Sequence, residues 1–367
     1  MKTTQTIASL ASLFVIASAP AFSADAPKVQ DVLSAYTQNV VIPTYNTMAT
    51  NAVAFAKAAN KLQASPSDAN LAKAIEAWKK TTTAWEQSEG FLYGPAEFAS
   101  LDPKLDSWPL DQVQLDSLLA VVAEGKIEVD AAYVRDYLGA SMRGFHAAEY
   151  LMFRDGKARA VANMSKGEIA YLAAVATVVA EDCIQLEVLW NGLDSVSSAK
   201  KAILEAGEIE KDGNYASEIA NAGQKGSRYD SQEDAIEEII VGCVDIVTEL
   251  AGPKFGEPFE AQDKKLFESW YSYRSLDNTR ANIISVQNTY MGVDAKGNSF
   301  SALVAAKNPA LDAKVKASFA KVFKCMDAFG APVELSLSNK AAFKAVIAAC
   351  EELCENIEEV QETLVGE

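Results

Sequence analysis

A single histidine, His146, serves a chain of 367 residues. That scarcity excludes the catalytic zinc centres that draw on two or three histidines. Neither H-E-x-x-H nor H-x-x-E-H is present, because Tyr150 stands where a second histidine would be needed. No G-x-S-x-G turn and no phosphate-binding glycine loop occur, and no serine signature nominates a nucleophile for His146 to serve. A metal site built on one histidine must be completed by oxygen, which favours iron, manganese or calcium over zinc.

Cysteine is sparse as well. There are five, none before Cys183, so no cysteine stands ready for lipid attachment near the start. An odd number in an oxidising compartment leaves at least one thiol without an intramolecular partner. Cys350 and Cys354 are four apart in a helical stretch, which puts their Cβ atoms roughly 6 Å apart, too far for an unstrained bridge. Cys183 and Cys243 lie in apolar runs and are expected to pack as small hydrophobes. Basic residues are outnumbered, 33 against 50, for a net charge of −17. Such a field repels phosphate backbones and anionic lipid, so nucleic acid is not an expected partner. It could concentrate cations, although a solvated acidic surface accounts for it equally well.

The start of the chain reads as a secretory signal peptide over residues 1–23. Lys2 supplies the positive region, Ile7 to Ile16 the apolar stretch, and Ala21-Phe22-Ser23 a small-x-small cleavage site. The stretch is too short for a transmembrane helix. The expected mature protein therefore starts near Ala24, has no transmembrane segment and resides in the periplasm. Its 344 residues suffice for two domains with cores of their own. Losing Lys2 and no acid brings the net charge to about −18.

Strand alternation is nearly absent, and the apolar spacing is helical almost throughout. The stretch "VQDVLSAYTQNVVIPTYNTMATNAVAFAKAANKL" is one long amphipathic pattern with Pro43 as a kink or break. A second helical pattern opens at Ser65, Pro66 and Ser67 and stops at Gly94-Pro95. Between Gly94 and Asp111 runs a long loop carrying Phe98 and Trp108, too bulky for a mere connector. Helices are predicted over about 111–123 and 130–152, the latter bearing His146. A polar break, "RDGKARAVANMSKGE", precedes a second helical set that ends in a helix over about 338–365. The fold class expected is all-α, two packed helical bundles of the tandem four-helix type, with an N-terminal bundle over 24–160 and a C-terminal bundle over 161–367.

On the helix "RGFHAAEYLMF", His146 and Glu149 are three apart and so share a face. The spacing can chelate a metal, as Glu-x-x-His pairs do in di-iron bundles. Alone, H-x-x-E is a weak pattern that more often describes a helix-surface hydrogen bond or ion pair. Arg143, one turn earlier, could neutralise Glu149 or bind an anion, and Gly144, Ala147 and Ala148 would let another helix approach closely. In "WEQSEGFLYGP", Glu86 and Glu89 repeat the spacing of three, where solvated helix-end acids are the plainer reading. In "FESWYSYRSLDNTRANIISVQNTYMG", Glu268, Ser272, Asp277, Asn278, Arg280 and Asn282 crowd one segment, with Asp277 a helix-cap candidate.

Taken in order, three stretches resemble one family. "GFHAAEY" is similar to the G-x-H-x-x-E motif of imelysin-like proteins, "WEQSEGFLYGP…LDPKLDSWPLD" to their first-domain segment, and "ESWYSYRSLDNTRANIISVQNTYMG" to their second. "NVVIPTY" fits as well. The resemblance implies a two-domain, all-helical bacterial envelope protein with the H-x-x-E residues between or beside the bundles. The family takes its name from an insulin-cleaving peptidase, is catalogued among metallopeptidases, and includes iron-regulated proteins and a periplasmic component of ferrous-iron uptake. Residue by residue, His146, Glu149 and Gly144 match the motif. Glu86, Glu89, Asp106, Ser107 and Trp108 match the first-domain segment, and Ser272, Asp277 and Asn282 the second. Many relatives carry an N-terminal lipidated cysteine, and this chain departs from them there.

Three functions follow as expectations. The first is a metal-binding protein of iron acquisition, with His146, Glu149, Glu89 and Glu86 as ligands, iron as the favoured ion, Arg143, Asp106, Ser107, Trp108, Ser272, Asp277 and Asn282 lining the cleft, and an envelope iron-uptake protein as partner. The second is a metallopeptidase with His146 as ligand and Glu149 as base. The third is a metal-free module in which His146 and Arg143 hold a peptide carboxylate or other anion.

Overall fold

The structure is a computed structural model that describes residues 26–293 and 297–366. The signal peptide expected over 1–23 lies outside the described residues. Among the described residues the chain is helical, and its strands are confined to one small hairpin in which Phe153–Arg154 pairs with Lys157–Ala158. The all-α expectation holds.

The first long pattern does not break at Pro43. A helix over Val29–Tyr36 widens into a π-helical stretch over Thr37–Val41 and continues as Ile42–Ala64. Proline lacks the N–H that a helix interior requires, and its ring crowds the carbonyl four residues back; a widened turn just before it relieves both and lets the helix run on. Tyr45, Met48, Ala49, Ala52, Phe55, Ala59 and Leu62 form the buried stripe of this helix at spacings of three and four. That stripe packs against two helices, Asp68–Glu86 and Lys166–Asn191. The Ser67 side chain accepts from the N–H of Asn70 to open the first, and Ser165 with Glu168 forms a capping box at the start of the second. Lys166–Asn191 is the one described helix long and apolar enough to cross a membrane, and 89% of its most apolar window is buried inside the protein. It is apolar all round because other helices surround it.

This helix begins just after residue 160, the expected division. It lies beyond that point yet packs against Ile42–Ala64 and Gly144–Met152, with Ser198–Ala206 and Tyr215–Ala220 also against it. The polar stretch after Phe153 is not a linker. It is the small hairpin, whose turn at Asp155-Gly156 has positive φ at both residues and sends the chain back onto the same bundle. The second group begins with Gln232–Glu249 and comprises a π-helical stretch over Leu250–Gly256, then Ser275–Met291, Phe300–Lys307, Pro309–Asp327 and Lys340–Val365. The groups meet where Ser275–Met291 packs on Asp68–Glu86 and Gln232–Glu249 packs on the short turn Glu89–Phe91. Their buried apolar side chains form one continuous core. All five cysteines are free thiols, with Cys183, Cys243 and Cys350 buried.

The helix predicted over 130–152 is interrupted. Ala131–Tyr137 ends, a single turn covers Ala140–Met142, and Gly144–Met152 starts afresh. Gly144 has φ +76°, and a Cβ there would lie 2.2 Å from the carbonyl oxygen of Leu105. Only glycine permits both this conformation and this approach. The result is that the His146 helix begins directly against the end of the Leu101–Asp106 helix.

Candidate metal centre

That contact brings Asp106 to the face of His146. The Nε2 of the imidazole lies 3.2 Å from Asp106 Oδ1 and its Nδ1 lies 3.2 Å from Glu149 Oε2. An ionised carboxylate only accepts, so Nδ1 donates to Glu149. Nε2 is buried and makes no hydrogen bond, since Asp106 is close without being in line. Glu149 is wholly buried, and its other oxygen, Oε1, accepts from both the backbone N–H (2.9 Å) and the Oγ (2.7 Å) of Ser272. Asp106 Oδ2 accepts from Trp85 Nε1 at 2.6 Å, and the Trp108 ring lies 4.9 Å from the imidazole. Each carboxylate flanking the histidine is thus itself held in place.

A third donor comes from the stretch between the π-helical turn and Ser275–Met291. Asp106, His146 and Glu268 each offer one ligand atom, and the three atoms lie within 4.8 Å of one another. Glu268 Oε2 accepts from Lys254 Nζ at 2.6 Å. Asp106, Glu268 and Lys254 border a cavity of about 360 Å³ lined also by Glu89, Asp102, Ser107, Trp108 and Glu249, with His146 buried behind Asp106. A neighbouring space of about 530 Å³ shares Glu89, Asp102 and Glu249 and adds Glu97, Glu238 and Asp245. Among the described residues Lys254 is the one basic residue lining either space.

The charges follow from this crowding. Burial and then the neighbouring Glu268 push the Glu86 carboxyl up to about 8, while Asn282 Nδ2 donates to its Oε2 at 2.7 Å. Burial also raises Glu89 well above the carboxylate range, with Lys254 opposing and Glu86 and Asp106 reinforcing. Asp102 is pushed to about 6 by burial and by Asp106. Burial disfavours a charge on His146, but Asp106 and Glu149 on either side outweigh it and hold the imidazole well above its usual pKa. Burial raises Asp106 too, and the charge of His146 overcomes this and holds it below the ordinary value.

Of the residues expected at the site, His146, Glu149, Glu86, Glu89, Asp106, Ser107, Trp108, Ser272 and Asn282 come together here. Two do not. Arg143 is 5% exposed and its guanidinium pairs with Asp182 of the Lys166–Asn191 helix. It precedes the Gly144–Met152 helix in extended backbone, φ −133°, so it does not share the face of His146 and Glu149. Asp277 has a side chain 66% exposed and pairs with Arg274 at 3.2 Å in the first turn of its helix, away from the cavity. Lys254, Asp102 and Glu249 escaped the sequence reading. For Lys254 a signal existed, a lone lysine set between glycines and prolines in "AGPKFGEP".

The imelysin family model matches residues 41–360. The chain belongs to the imelysin family. Among family relatives, an iron-regulated protein A from Synechococcus elongatus is 27% identical over 320 residues, 86% of this chain and 80% of its own length. A crystal structure described as that of an iron-regulated protein A precursor from Parabacteroides distasonis superposes with a TM-score of 0.76 at 29% identity, covering 93% of this chain and 97% of the other. An imelysin-like protein from Psychrobacter arcticum, 13% identical, shares the fold with a TM-score of 0.69 over 93% of this chain and 98% of its own.

Proposed function

We propose that this imelysin-family protein is exported to the periplasm, binds a hard metal ion, iron favoured, and takes part in iron acquisition. The ligands are His146 Nε2, Asp106 and Glu268, with Glu89 on the cavity wall and the buried Glu86 as the carboxylates that complete an oxygen-rich shell. The observation that carries the reading is the buried Nε2 without a hydrogen bond, placed within 4.8 Å of two carboxylate oxygens. A buried polar atom left unpaired is costly and calls for a partner, and one imidazole among carboxylates suits a hard cation. A bound ion would take the place of the imidazole proton on Nε2, facing Asp106 at 3.2 Å. Glu149 then acts one step back. By accepting from Nδ1 it fixes the ring and its tautomer, and Ser272 fixes Glu149 in turn, as partners of metal-bound histidines do. The acidic cavity draws cations inward, and hand-over to an envelope uptake protein completes the proposed role.

The other readings find less support. A peptidase base must be free to take a proton from water, whereas both oxygens of Glu149 are engaged and the side chain is wholly buried. An anion-binding cleft needs a free cation, and Arg143 is paired with Asp182.

The test is elemental analysis of protein recovered from the periplasm, in wild type, His146→Ala, Asp106→Asn and Glu268→Gln, with Asp277→Asn as control and helicity checked throughout. Near-stoichiometric metal in wild type and Asp277→Asn, lost from the other three, is the expected result. Wild type that takes up no ferrous, ferric, manganese, calcium or zinc ion on incubation would end the proposal.

A further inference from the structure

Lys254 occupies the place in this cluster that a cation would want. Its Nζ lies 2.6 Å from Glu268 Oε2, the side chain is 8% exposed, and its charge also acts on Glu86, Glu89 and Asp106. Among the described residues it is the only base lining the cavity or its extension, against Glu89, Asp102, Asp106, Glu249 and Glu268 around the cavity alone. Its backbone is unusual too. The residue sits in the π-helical stretch Leu250–Gly256, directly after Pro253, where the wide turn and the missing N–H of proline loosen the helical ladder. Such single-turn π segments recur at functional positions.

We infer that Lys254 is an internal counter-cation, holding the ligand carboxylates of the metal-free protein and withdrawing from Glu268 as metal binds, so that it limits affinity and makes binding reversible. This rests on the metal reading above and adds to it a residue that sets how tightly the site holds its ion. The physical argument is a competition. Without metal, the ammonium relieves repulsion among buried carboxylates that have little water to screen them. With metal, the same ammonium is a like charge within a few ångströms of the ion, beside one of its ligands. A flexible four-carbon stem and a compact charge suit lysine to such movement better than the rigid fork of arginine. For a carrier the arrangement is useful, because the ligand set need not collapse or repel when the ion leaves.

A plain structural ion pair makes a different forecast, and the difference is the test. Lys254→Met keeps the stem and removes the charge, Lys254→Gln serves if that variant misfolds, and Lys254→Arg keeps the charge. Each is titrated with manganous ion, and anaerobically with ferrous ion, against a competing chelator, and the melting temperature of each metal-free form is recorded. The expected result is opposite movement: the neutral variants melt lower when metal-free yet bind at least ~10-fold tighter and release more slowly, while Lys254→Arg does neither. A second measurement needs no variant. In wild type, acetylation of Lys254 by acetic anhydride, mapped by mass spectrometry, is expected to rise on metal loading. Neutral variants that melt lower and bind equally or more weakly, or Lys254 labelling that ignores metal, overturn the inference alone. No binding by wild type or any variant overturns the inference together with the metal reading.

Discussion

Gly144→Ala is the sharpest test of how this fold makes its site. The added Cβ would stand 2.2 Å from Leu105 O, 2.7 Å from Leu105 C and 2.8 Å from Lys104 O. All three are backbone atoms, so no side-chain rotation can relieve the contact. The left-handed conformation at φ +76° adds about 1–2 kcal/mol for any residue with a Cβ. Forcing the two helix ends apart costs about 1–3 kcal/mol more, as overpacking does elsewhere. The expected loss is therefore about 2–5 kcal/mol by urea unfolding, with metal content falling because Asp106 and His146 are the residues driven apart. Gly125→Ala isolates the conformational term, since Gly125 has φ +71° and open space around its missing Cβ; it should cost only about 1–2 kcal/mol and leave metal content unchanged. Equal losses at the two positions, or full metal binding in Gly144→Ala, would refute the account of the motif glycine.

Other outcomes follow from the same geometry. Ser272→Ala deletes one of the two donors to Glu149 Oε1 but keeps the backbone N–H, so a loss of about 1 kcal/mol in stability and roughly 10-fold in metal affinity is expected by denaturation and chelator competition. Asn282→Ala removes the amide donor to Glu86 Oε2 and should cost about 1–3 kcal/mol, measured as a shift of the urea midpoint. The metal-free protein should melt higher at pH 5 than at pH 8. Glu86, raised by burial from 4.5 to about 8, binds its proton more tightly folded than unfolded; the stability this confers is complete below the ordinary value and lost as pH rises towards 8. Glu89 and Asp102 are raised likewise and add to the effect. Scanning calorimetry from pH 5 to 8, with and without manganous ion, should show the decline and its reduction by metal.

Much was legible from composition and periodicity alone. The all-α class, the helix start at Ser67, the final helix and the consequence of owning one histidine are local matters, decided by residue spacing and by which side chains can cap or ligate. H-x-x-E spacing likewise places His146 and Glu149 on one face, because 3.6 residues make a turn. It does not say which atom points where. Packing decided that Glu149 turns both oxygens towards Nδ1 and Ser272, leaving Nε2 to face residues 40 positions before it and 122 after it, Asp106 and Glu268. Packing also set Lys166–Asn191 against Ile42–Ala64, took Arg143 away to Asp182, and set Lys254 among the carboxylates. Helix faces are written in the local sequence, whereas the meeting of side chains from distant segments depends on how each face is covered, and only the folded chain determines that.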